Sequence, residues 1–114
     1  MNNEYVYGKT KAALYNIAKE YCKDKNIKFK WARLFNVYGP EEKKNRLVSS
    51  VILSMLKNED VKVSECTKYQ DYLHVYDMAK GIVRFFESEV IGAVNICSGK
   101  PVRLRYIVEK LCEY

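Results

Sequence analysis

Apolar residues recur along the chain first with the spacing of a helix face and then with that of a strand. Within residues 5–24 one helical face carries the apolar side chains Leu14, Ile17, Ala18 and Tyr21. Residues 28–35 follow as an apolar run of strand composition, which Asn36 and the Gly39-Pro40 turn bring to an end. The first third of the chain is therefore predicted to be a helix followed by a strand.

Five further elements are predicted after this turn. In chain order they are a helix at 47–57, a strand at 61–64, a helix at 77–87, a strand at 94–97 and a helix at 102–112. Asp77 is the expected N-cap of the helix at 77–87, and His74, in a short apolar stretch before it, is expected to be a packed structural histidine. This alternation of helices and strands predicts the α/β fold class.

The glycines decide which kind of α/β fold is possible. A glycine-rich turn between a strand and a helix cradles the diphosphate of a dinucleotide in many α/β enzymes. The chain has five glycines, at 8, 39, 81, 92 and 99, and no two are close enough for a GxGxxG or GxxGxxG turn. The sequence therefore predicts an α/β unit from which the dinucleotide-binding βαβ unit is absent.

Composition narrows the environment and the partners. The 114 residues fit one compact unit, with no apolar run of membrane-spanning length and no signal-peptide pattern. Four scattered cysteines and one histidine predict reduced thiols, a cytoplasmic location and no metal site. The net charge of +6 suits a diphosphate ligand. Nucleic-acid binding ranks last, because the lysines are spread singly and no nucleic-acid motif is present.

Tyr7 and Lys11 form a candidate acid/base pair. They stand four residues apart on the first predicted helix, so both project from one face. A nearby ammonium favours the phenolate, which lets a tyrosine exchange protons with a hydroxyl or carbonyl group. Six of the ten tyrosines have a lysine four residues later, however, so the spacing alone is weak evidence in this chain. Gly8, beside the pair, suggests a need for close approach to the helix.

Four segments give the pair its context. Residues 7–11 are Tyr-Gly-Lys-Thr-Lys, 33–40 are Arg-Leu-Phe-Asn-Val-Tyr-Gly-Pro, 71–79 are Asp-Tyr-Leu-His-Val-Tyr-Asp-Met-Ala, and 92–102 are Gly-Ala-Val-Asn-Ile-Cys-Ser-Gly-Lys-Pro-Val. In this order they resemble motifs of the extended short-chain dehydrogenase/reductase family, whose NAD(P)-dependent members modify nucleoside-diphosphate sugars. The resemblance implies the C-terminal part of that fold. Residues 1–40 would be its last Rossmann helix and strand, and residues 41–114 its small substrate-binding α/β region.

The same resemblance implies roles on the cofactor side. Tyr7 would be the general acid/base, and Lys11 would tune it and hold the ribose of the cofactor. Leu34 and Phe35, at the end of the predicted strand, would lie beside the nicotinamide of NAD or NADP. Both cofactors stay open, because the residues that choose between them belong to the absent unit.

On the substrate side, the implied contacts of the sugar nucleotide are Asn36, Arg46, Leu47, Gln70 and Tyr72. Asn36 is equally explained as a turn residue that closes the strand, and Arg46 as a solvated surface charge. At the position of Gln70, family members commonly carry an arginine that contacts the phosphates. An amide lacks that charge and the bidentate fork, and Lys68 is the candidate to replace it. The identity of the nucleotide therefore stays open.

Two hypotheses about function follow. In the first, the parent protein is an NAD-dependent epimerase, dehydratase or reductase, and this chain alone binds no cofactor and is inactive. In the second, the chain is a truncated homologue that serves as a non-catalytic binding or oligomerisation module. Under both hypotheses the sheet that would bury two apolar surfaces is absent. These surfaces are the stripe around Leu14 and Ile17 and the strand around Trp31 and Leu34. We therefore expect a homo-oligomer.

Overall fold

Helices and strands alternate through residues 3–113, the part of the chain that the computed structural model describes. The elements are α1 (Asn3–Asp24), β1 (Lys30–Leu34), β2 (Asn36–Tyr38), α2 (Leu47–Leu56), β3 (Tyr69–Gln70), β4 (Tyr72–His74), α3 (Val75–Glu87), β5 (Gly92–Ile96), β6 (Val102–Arg103) and α4 (Leu104–Cys112). The α/β class is confirmed.

The strands described here form three separate pairs. β1 and β5 run parallel, with Trp31 opposite Ala93. β2 and β4 also run parallel, with Asn36 opposite Tyr72, whereas β3 and β6 are antiparallel. Parallel strands require a long crossover connection. Here α3 holds the two parallel pairs together, because it packs against β1, β2, β4 and β5.

Lys30 fastens the C-terminal end of α3 to β1. Its Nζ donates hydrogen bonds to the carbonyl oxygens of Phe85 at 2.9 Å, of Phe86 at 2.7 Å and of Ser88. Phe85 and Phe86 lie in the last turn of α3, where carbonyls lack a backbone partner within the helix, and Ser88 is the C-cap. The ammonium bonds these carbonyls and also meets the partial negative charge at the helix end. The side chain of Lys30 therefore fixes α3 on one face of the β1–β5 pair.

The opposite face of β1 carries α1, which is held mainly by aromatic contacts. The ring of Tyr15 lies 5.6 Å from that of Phe29 and 5.3 Å from that of Trp31, between centroids. Beyond this cluster α1 packs sparsely, and Leu14 and Ile17 are 48% and 67% exposed. The predicted apolar stripe is therefore real, and most of it faces solvent.

The outline of the molecule reflects this sparse packing. The radius of gyration is 17.7 Å, against about 13 Å for a compact chain of similar length. The accessible surface is 9482 Å², against roughly 6,500 Å² for a compact protein of this mass. Few side chains are buried: Val51 of α2, which packs against α4, and Met78 of α3, which packs against the strands, are almost fully buried.

Four predicted elements differ from the structure in their bounds or in their presence. Residues 61–64 form no strand, because a strand needs a hydrogen-bonded neighbour and this segment has none in the described part of the chain. The last helix begins at Leu104 because Val102 and Arg103 pair with β3. The predicted strand at 28–35 is shorter, and β2 follows it as a separate strand in another pair. The predicted strand at 94–97 instead runs from Gly92 to Ile96.

The start of α3 also differs from the prediction. The helix begins at Val75, and Asp77 lies in its first turn rather than at the N-cap. The cap is His74, whose Nδ1 accepts a hydrogen bond from the backbone N–H of Tyr76 at 3.3 Å. Its ring also packs edge-on against Tyr38, with centroids 5.3 Å apart, so the histidine is packed as expected.

Gly39 makes the turn between β2 and the rest of the chain possible. Its φ is +147°, and a Cβ placed there would lie 2.7 Å from Val75 Cγ1. Only glycine allows the backbone to approach the start of α3 this closely. None of the helices in residues 3–113 has both the length and the apolar character needed to cross a bilayer.

Candidate functional site

One cavity brings together all the residues implied on the substrate side. It has a volume of about 600 Å³ and is lined by Phe35, Asn36, Val37, Glu42, Lys43, Asn45, Arg46, Leu47, Gln70 and Tyr72. We call it the β2–α2 cavity. All five implied substrate contacts, and Phe35 from the cofactor side, are among its lining residues. They meet there because β2 and β4 are paired and α2 begins beside them.

The N-terminus of α2 forms one wall of the cavity. Arg46 is its N-cap in extended conformation and makes no side-chain capping hydrogen bond, and the first turn carries no acidic residue. The backbone N–H groups of such a turn, together with the helix dipole, attract anions. Arg46 and Lys43 add two formal positive charges, and neither forms an ion pair with the side chains described in residues 5–113. This wall therefore offers backbone donors and positive charge to an anion.

Asn36 lies at the start of β2. Its Nδ2 donates a hydrogen bond of 3.1 Å to the backbone carbonyl of Asp71, just before the paired strand β4. This contact explains Asn36 structurally as a clamp between two strands rather than as a turn residue. The amide retains a second N–H and its oxygen for a ligand, because an amide group offers two donors and an acceptor.

Asp71 is the one buried acidic residue in the described part of the chain, and sequence reasoning did not single it out. Its Oδ1 accepts a hydrogen bond of 2.7 Å from the N–H of Ser98, and its Oδ2 accepts one of 2.9 Å from the Ser98 hydroxyl. Burial acts to raise the pKa of Asp71, but these bonds, with others from the N–H groups of Gly99 and Lys100, outweigh it and lower the pKa from 3.8. The carboxylate therefore stays charged.

Two opposite charges of the cavity act on Tyr72. Burial and then the carboxylate of Glu42 raise the pKa of its phenol above the ordinary 10.0, whereas Arg46 acts to lower it. The phenol therefore remains protonated and able to donate a hydrogen bond. Glu42 was not singled out from the sequence, because the charged stretch in which it lies has the composition of an exposed loop.

Gln70 and Lys68 occupy different places. Gln70 is half-buried, pairs with Val102 across β3 and β6, and lines the cavity. Lys68 is exposed and is not among the lining residues; its backbone carbonyl accepts a hydrogen bond from Leu104 N–H at 3.0 Å. Lys43 and Arg46 are the cations that line the cavity, and the replacement of the missing arginine by Lys68 stays a prediction.

Tyr7 and Lys11 lie together on α1, away from the lining of the β2–α2 cavity. The Lys11 ammonium is 5.7 Å from the centroid of the Tyr7 ring, and Tyr7 is 66% exposed. Leu34 is half-exposed at the end of β1 and is likewise not a lining residue. Around Gly8 no described atom lies within 4 Å of an added Cβ, so nothing described here makes the close approach that its position suggested.

Among the side chains described in residues 5–113, no group of three or more histidine, cysteine or carboxylate side chains is arranged to hold a metal ion. All four cysteines are free thiols. The side chains that line the β2–α2 cavity offer hydrogen-bond donors, hydrogen-bond acceptors and positive charge.

Comparisons with known proteins identify the family of the chain. The sequence model of the NAD dependent epimerase/dehydratase family matches residues 1–97. UDP-glucuronic acid decarboxylase 6 of Arabidopsis thaliana is 31% identical over 98 residues, which cover 83% of this chain and 28% of that protein. For UDP-glucuronic acid decarboxylase 1 of Xenopus tropicalis the identity is 30%, covering 83% of this chain and 23% of that protein. The chain thus spans about a quarter of the length of these relatives.

Solved structures share the fold. RMD from Pseudomonas aeruginosa, complexed with NADPH, has a TM-score of 0.83 at 25% identity, over 94% of this chain and 39% of that one. UDP-glucuronic acid 4-epimerase from Bacillus cereus, in complex with NAD, has a TM-score of 0.83 at 25% identity, over 94% and 36%. UDP-glucose 4-epimerase from Thermotoga maritima, with UDP-glucose, reaches 0.85 at 22% identity, over 94% and 36%, and is similar in fold alone.

Proposed function

The chain belongs to the NAD-dependent epimerase/dehydratase family, and we propose that it is the substrate-binding C-terminal part of an enzyme that modifies a nucleoside-diphosphate sugar. In this proposal the β2–α2 cavity binds the sugar nucleotide. Residues 1–40 contribute the cofactor side and residues 41–114 the substrate side. The two parts share a sheet, because β1 pairs with β5.

The cation-lined wall of the β2–α2 cavity carries this proposal. Arg46, Lys43 and the free first turn of α2 face a space of about 600 Å³, which is large enough for a nucleotide. A diphosphate placed there would receive backbone N–H groups and two cations. Asn36, Gln70 and the protonated Tyr72 add neutral donors that are suited to orient the nucleoside and the sugar.

Tyr7 and Lys11 are assigned the acid/base role. NAD or NADP, when bound, supplies the hydride chemistry of the family. In this chain Tyr7 would hold or accept the proton of a sugar hydroxyl, and Lys11 would favour its phenolate and contact the cofactor ribose. Leu34 and Phe35 would flank the nicotinamide.

The fit to the cofactor is partial. Tyr7 and Lys11 are exposed and in contact with each other. However, none of the glycine positions of this sequence forms the diphosphate cradle that a dinucleotide requires. We therefore propose that this chain by itself binds NAD(P) weakly and has no turnover. The free thiols fit a cytoplasmic protein.

Binding of UDP to the 114-residue chain tests the substrate assignment. We expect UDP affinity to fall roughly tenfold in Arg46→Gln, because a charge-assisted hydrogen bond is lost. Lys68→Gln is the matched control, since it removes the same kind of charge outside the cavity, and its affinity should equal that of the wild type. Equal loss in both variants would contradict a specific diphosphate site and indicate unspecific attraction to a basic protein.

A second candidate function is that of a non-catalytic binding or oligomerisation module. The exposed surface of 9482 Å² and the uncovered stripe of α1 favour it. Self-association would cover Leu14 and Ile17, and exchange of α1 between copies is one way to achieve it. Sedimentation of the wild type and of Ile17→Glu tests this proposal. A monomeric wild type at micromolar concentration would contradict it, and a dimer that persists in Ile17→Glu would place the contact elsewhere.

A further inference from the structure

We propose that Glu42 is a specificity-determining residue of the β2–α2 cavity, which accepts hydrogen bonds from a pair of hydroxyl groups on the ligand. The ligand is the sugar nucleotide, so this inference rests on the proposed function. A carboxylate at this position selects a neutral, hydroxyl-bearing group and rejects a negatively charged one.

The geometry leaves half of the Glu42 carboxylate free for a ligand. Glu42 is half-buried in the wall of the cavity. Its Oε2 accepts a hydrogen bond of 2.7 Å from the hydroxyl of Ser49, which lies in the first turn of α2. Its Oε1 receives no hydrogen bond from the side chains described in residues 5–113, and no cation among them lies within ion-pair distance. Ser49 therefore contacts the carboxylate without neutralising it.

Two opposite charges line the cavity. Arg46 attracts phosphate oxygens, whereas Glu42, which is hydrogen-bonded to Ser49 in the first turn of α2, repels them. Both charges act on the phenol of Tyr72, in opposite directions. A ligand that satisfies the whole cavity must place anionic oxygens at Arg46 and hydrogen-bond donors without negative charge at Glu42.

Hydroxyl pairs of sugars meet that requirement. A carboxylate with a free oxygen accepts hydrogen bonds from vicinal hydroxyls, as acidic residues in dinucleotide-binding folds do with ribose. A nucleoside-diphosphate sugar carries such pairs on either side of its diphosphate, in the ribose and in the attached hexose. A sugar with a carboxylate substituent facing Glu42 would meet repulsion instead. The ribose and the hexose offer Glu42 the same kind of hydroxyl pair, and binding experiments can tell which of the two it contacts.

Four probes distinguish these sources in calorimetric titrations of the 114-residue chain at low salt. UDP against 2′-deoxyuridine diphosphate tests the ribose, and UDP-glucose against UDP-glucuronate tests the hexose. In the wild type we expect one of the two preferences to reach about tenfold, the size that a hydrogen bond to a charged group gives. In Glu42→Gln, which keeps the shape and an oxygen acceptor for Ser49, that preference should shrink to roughly threefold or less.

Ser49→Ala is the matched control. It removes the hydrogen bond of 2.7 Å to Glu42 but leaves the carboxylate in the cavity, so the preference should persist. Glu42→Asp retains the charge on a shorter side chain. It should keep the rejection of glucuronate and lose the hydrogen bonds to the hydroxyl pair. Circular dichroism tests whether each variant is folded. If Glu42→Gln is not folded, Glu42→Asp and the absence of either preference in the wild type still test the proposal.

The outcomes separate the two levels of the proposal. If UDP binds and the wild type shows neither preference, or if Glu42→Gln keeps it unchanged, then Glu42 does not determine specificity and the proposed function stands. If UDP fails to bind at millimolar concentration, the proposed function falls, and the role of Glu42 falls with it. A preference that is lost equally in Ser49→Ala and Glu42→Gln would also overturn the inference, since it would reflect a displaced loop rather than the charge.

Discussion

Both carboxylate oxygens of Asp71 accept hydrogen bonds from Ser98, at 2.7 Å from its backbone N–H and at 2.9 Å from its hydroxyl. Asp71 immediately precedes β4, and Ser98 lies in the loop after β5, so this contact joins the two parallel strand pairs. The carbonyl of Asp71 also holds Asn36. Asp71 thereby fixes the loop after β5 through its buried carboxylate and a polar group of the cavity through its backbone carbonyl.

Replacement of Asp71 tests this junction. Asp71→Asn keeps the size but removes the charge, and it replaces one acceptor oxygen by a donor that faces a donor. We expect a loss of about 1–3 kcal/mol in the free energy of unfolding. Urea unfolding followed by circular dichroism measures it. An equal loss in Ser98→Ala would indicate that the hydroxyl bond accounts for the effect, whereas no loss in either variant would contradict the junction.

The same residue predicts a dependence on pH. The pKa of Asp71 is lowered in the folded state, so its contribution to stability is present above its unfolded pKa and is lost as the pH falls through the folded value. The stability difference between the wild type and Asp71→Asn should thus be constant near neutral pH. It should shrink as the pH falls below the ordinary value of 3.8. A difference that grows in acid would contradict the assignment.

Lys30 should contribute more to stability than a surface lysine does. Lys30→Met removes a half-buried ammonium from three carbonyls at the end of α3, and we expect a loss of about 1–3 kcal/mol. Lys28→Met is the matched control, because Lys28 forms only an exposed ion pair with Glu89 at 3.0 Å. Its loss should stay below about 1 kcal/mol. Thermal unfolding of the two variants compares them, and equal losses would disprove the fastening role.

Gly39 and Gly99 should differ in their tolerance of alanine. Both have positive φ, but a Cβ at Gly39 would lie 2.7 Å from Val75 Cγ1, while nothing lies within 4 Å at Gly99. Gly99→Ala should cost about 1 kcal/mol from backbone strain alone. Gly39→Ala adds the steric conflict and should cost at least about 2 kcal/mol. Urea denaturation midpoints of the two variants, compared at equal slope of the transition, measure these losses of unfolding free energy. Similar losses in Gly39→Ala and Gly99→Ala would contradict the prediction.

Tyr7 is predicted to be required for turnover once a dinucleotide-binding unit of the family is joined to this chain. Tyr7→Phe should lower kcat by at least about 100-fold, because proton transfer is lost, and should largely spare cofactor binding. Tyr5→Phe is the matched control, since Tyr5 also has a lysine four residues later, with Lys9 Nζ 4.2 Å from its ring centroid. Full activity in Tyr7→Phe would rule out the acid/base role.

Local periodicity predicted the helices well and the short strands poorly. The helix predicted at 47–57 is found at Leu47–Leu56, because its apolar side chains recur on one face along its whole length. The alternation at 61–64 satisfies a strand locally, but pairing depends on a neighbour far away in the sequence, which no local pattern reveals. For the same reason the sequence did not predict β3 and β6, which have two residues each and pair with each other across a long stretch of chain.

The family and six of the lining residues of the cavity were within reach of the sequence, because they lie in or next to motifs at strand ends and at the start of a helix. The roles of Glu42 and Asp71 were not, although Asp71 is the first residue of one motif and Glu42 follows another by two residues. Whether a carboxylate in a charged loop is solvated or faces a cavity is decided by packing with other elements. The signal that could have indicated Asp71 was its place just before an apolar strand, where a charge must find partners. The ligand roles of all these residues remain predictions.

The pairing of β1 with β5 has a consequence for how the chain reaches its native state. Lys30 is opposite Gly92, so all the intervening residues, with α2, α3 and the β2–α2 cavity, form a single loop that this pair closes. Closing a loop of that length costs entropy before any contact compensates for it, and folding dominated by such distant contacts is slow. Residues 1–40 and 41–114 thus divide the chemistry of the site but form one cooperative unit of folding, and neither segment should be stable when expressed alone.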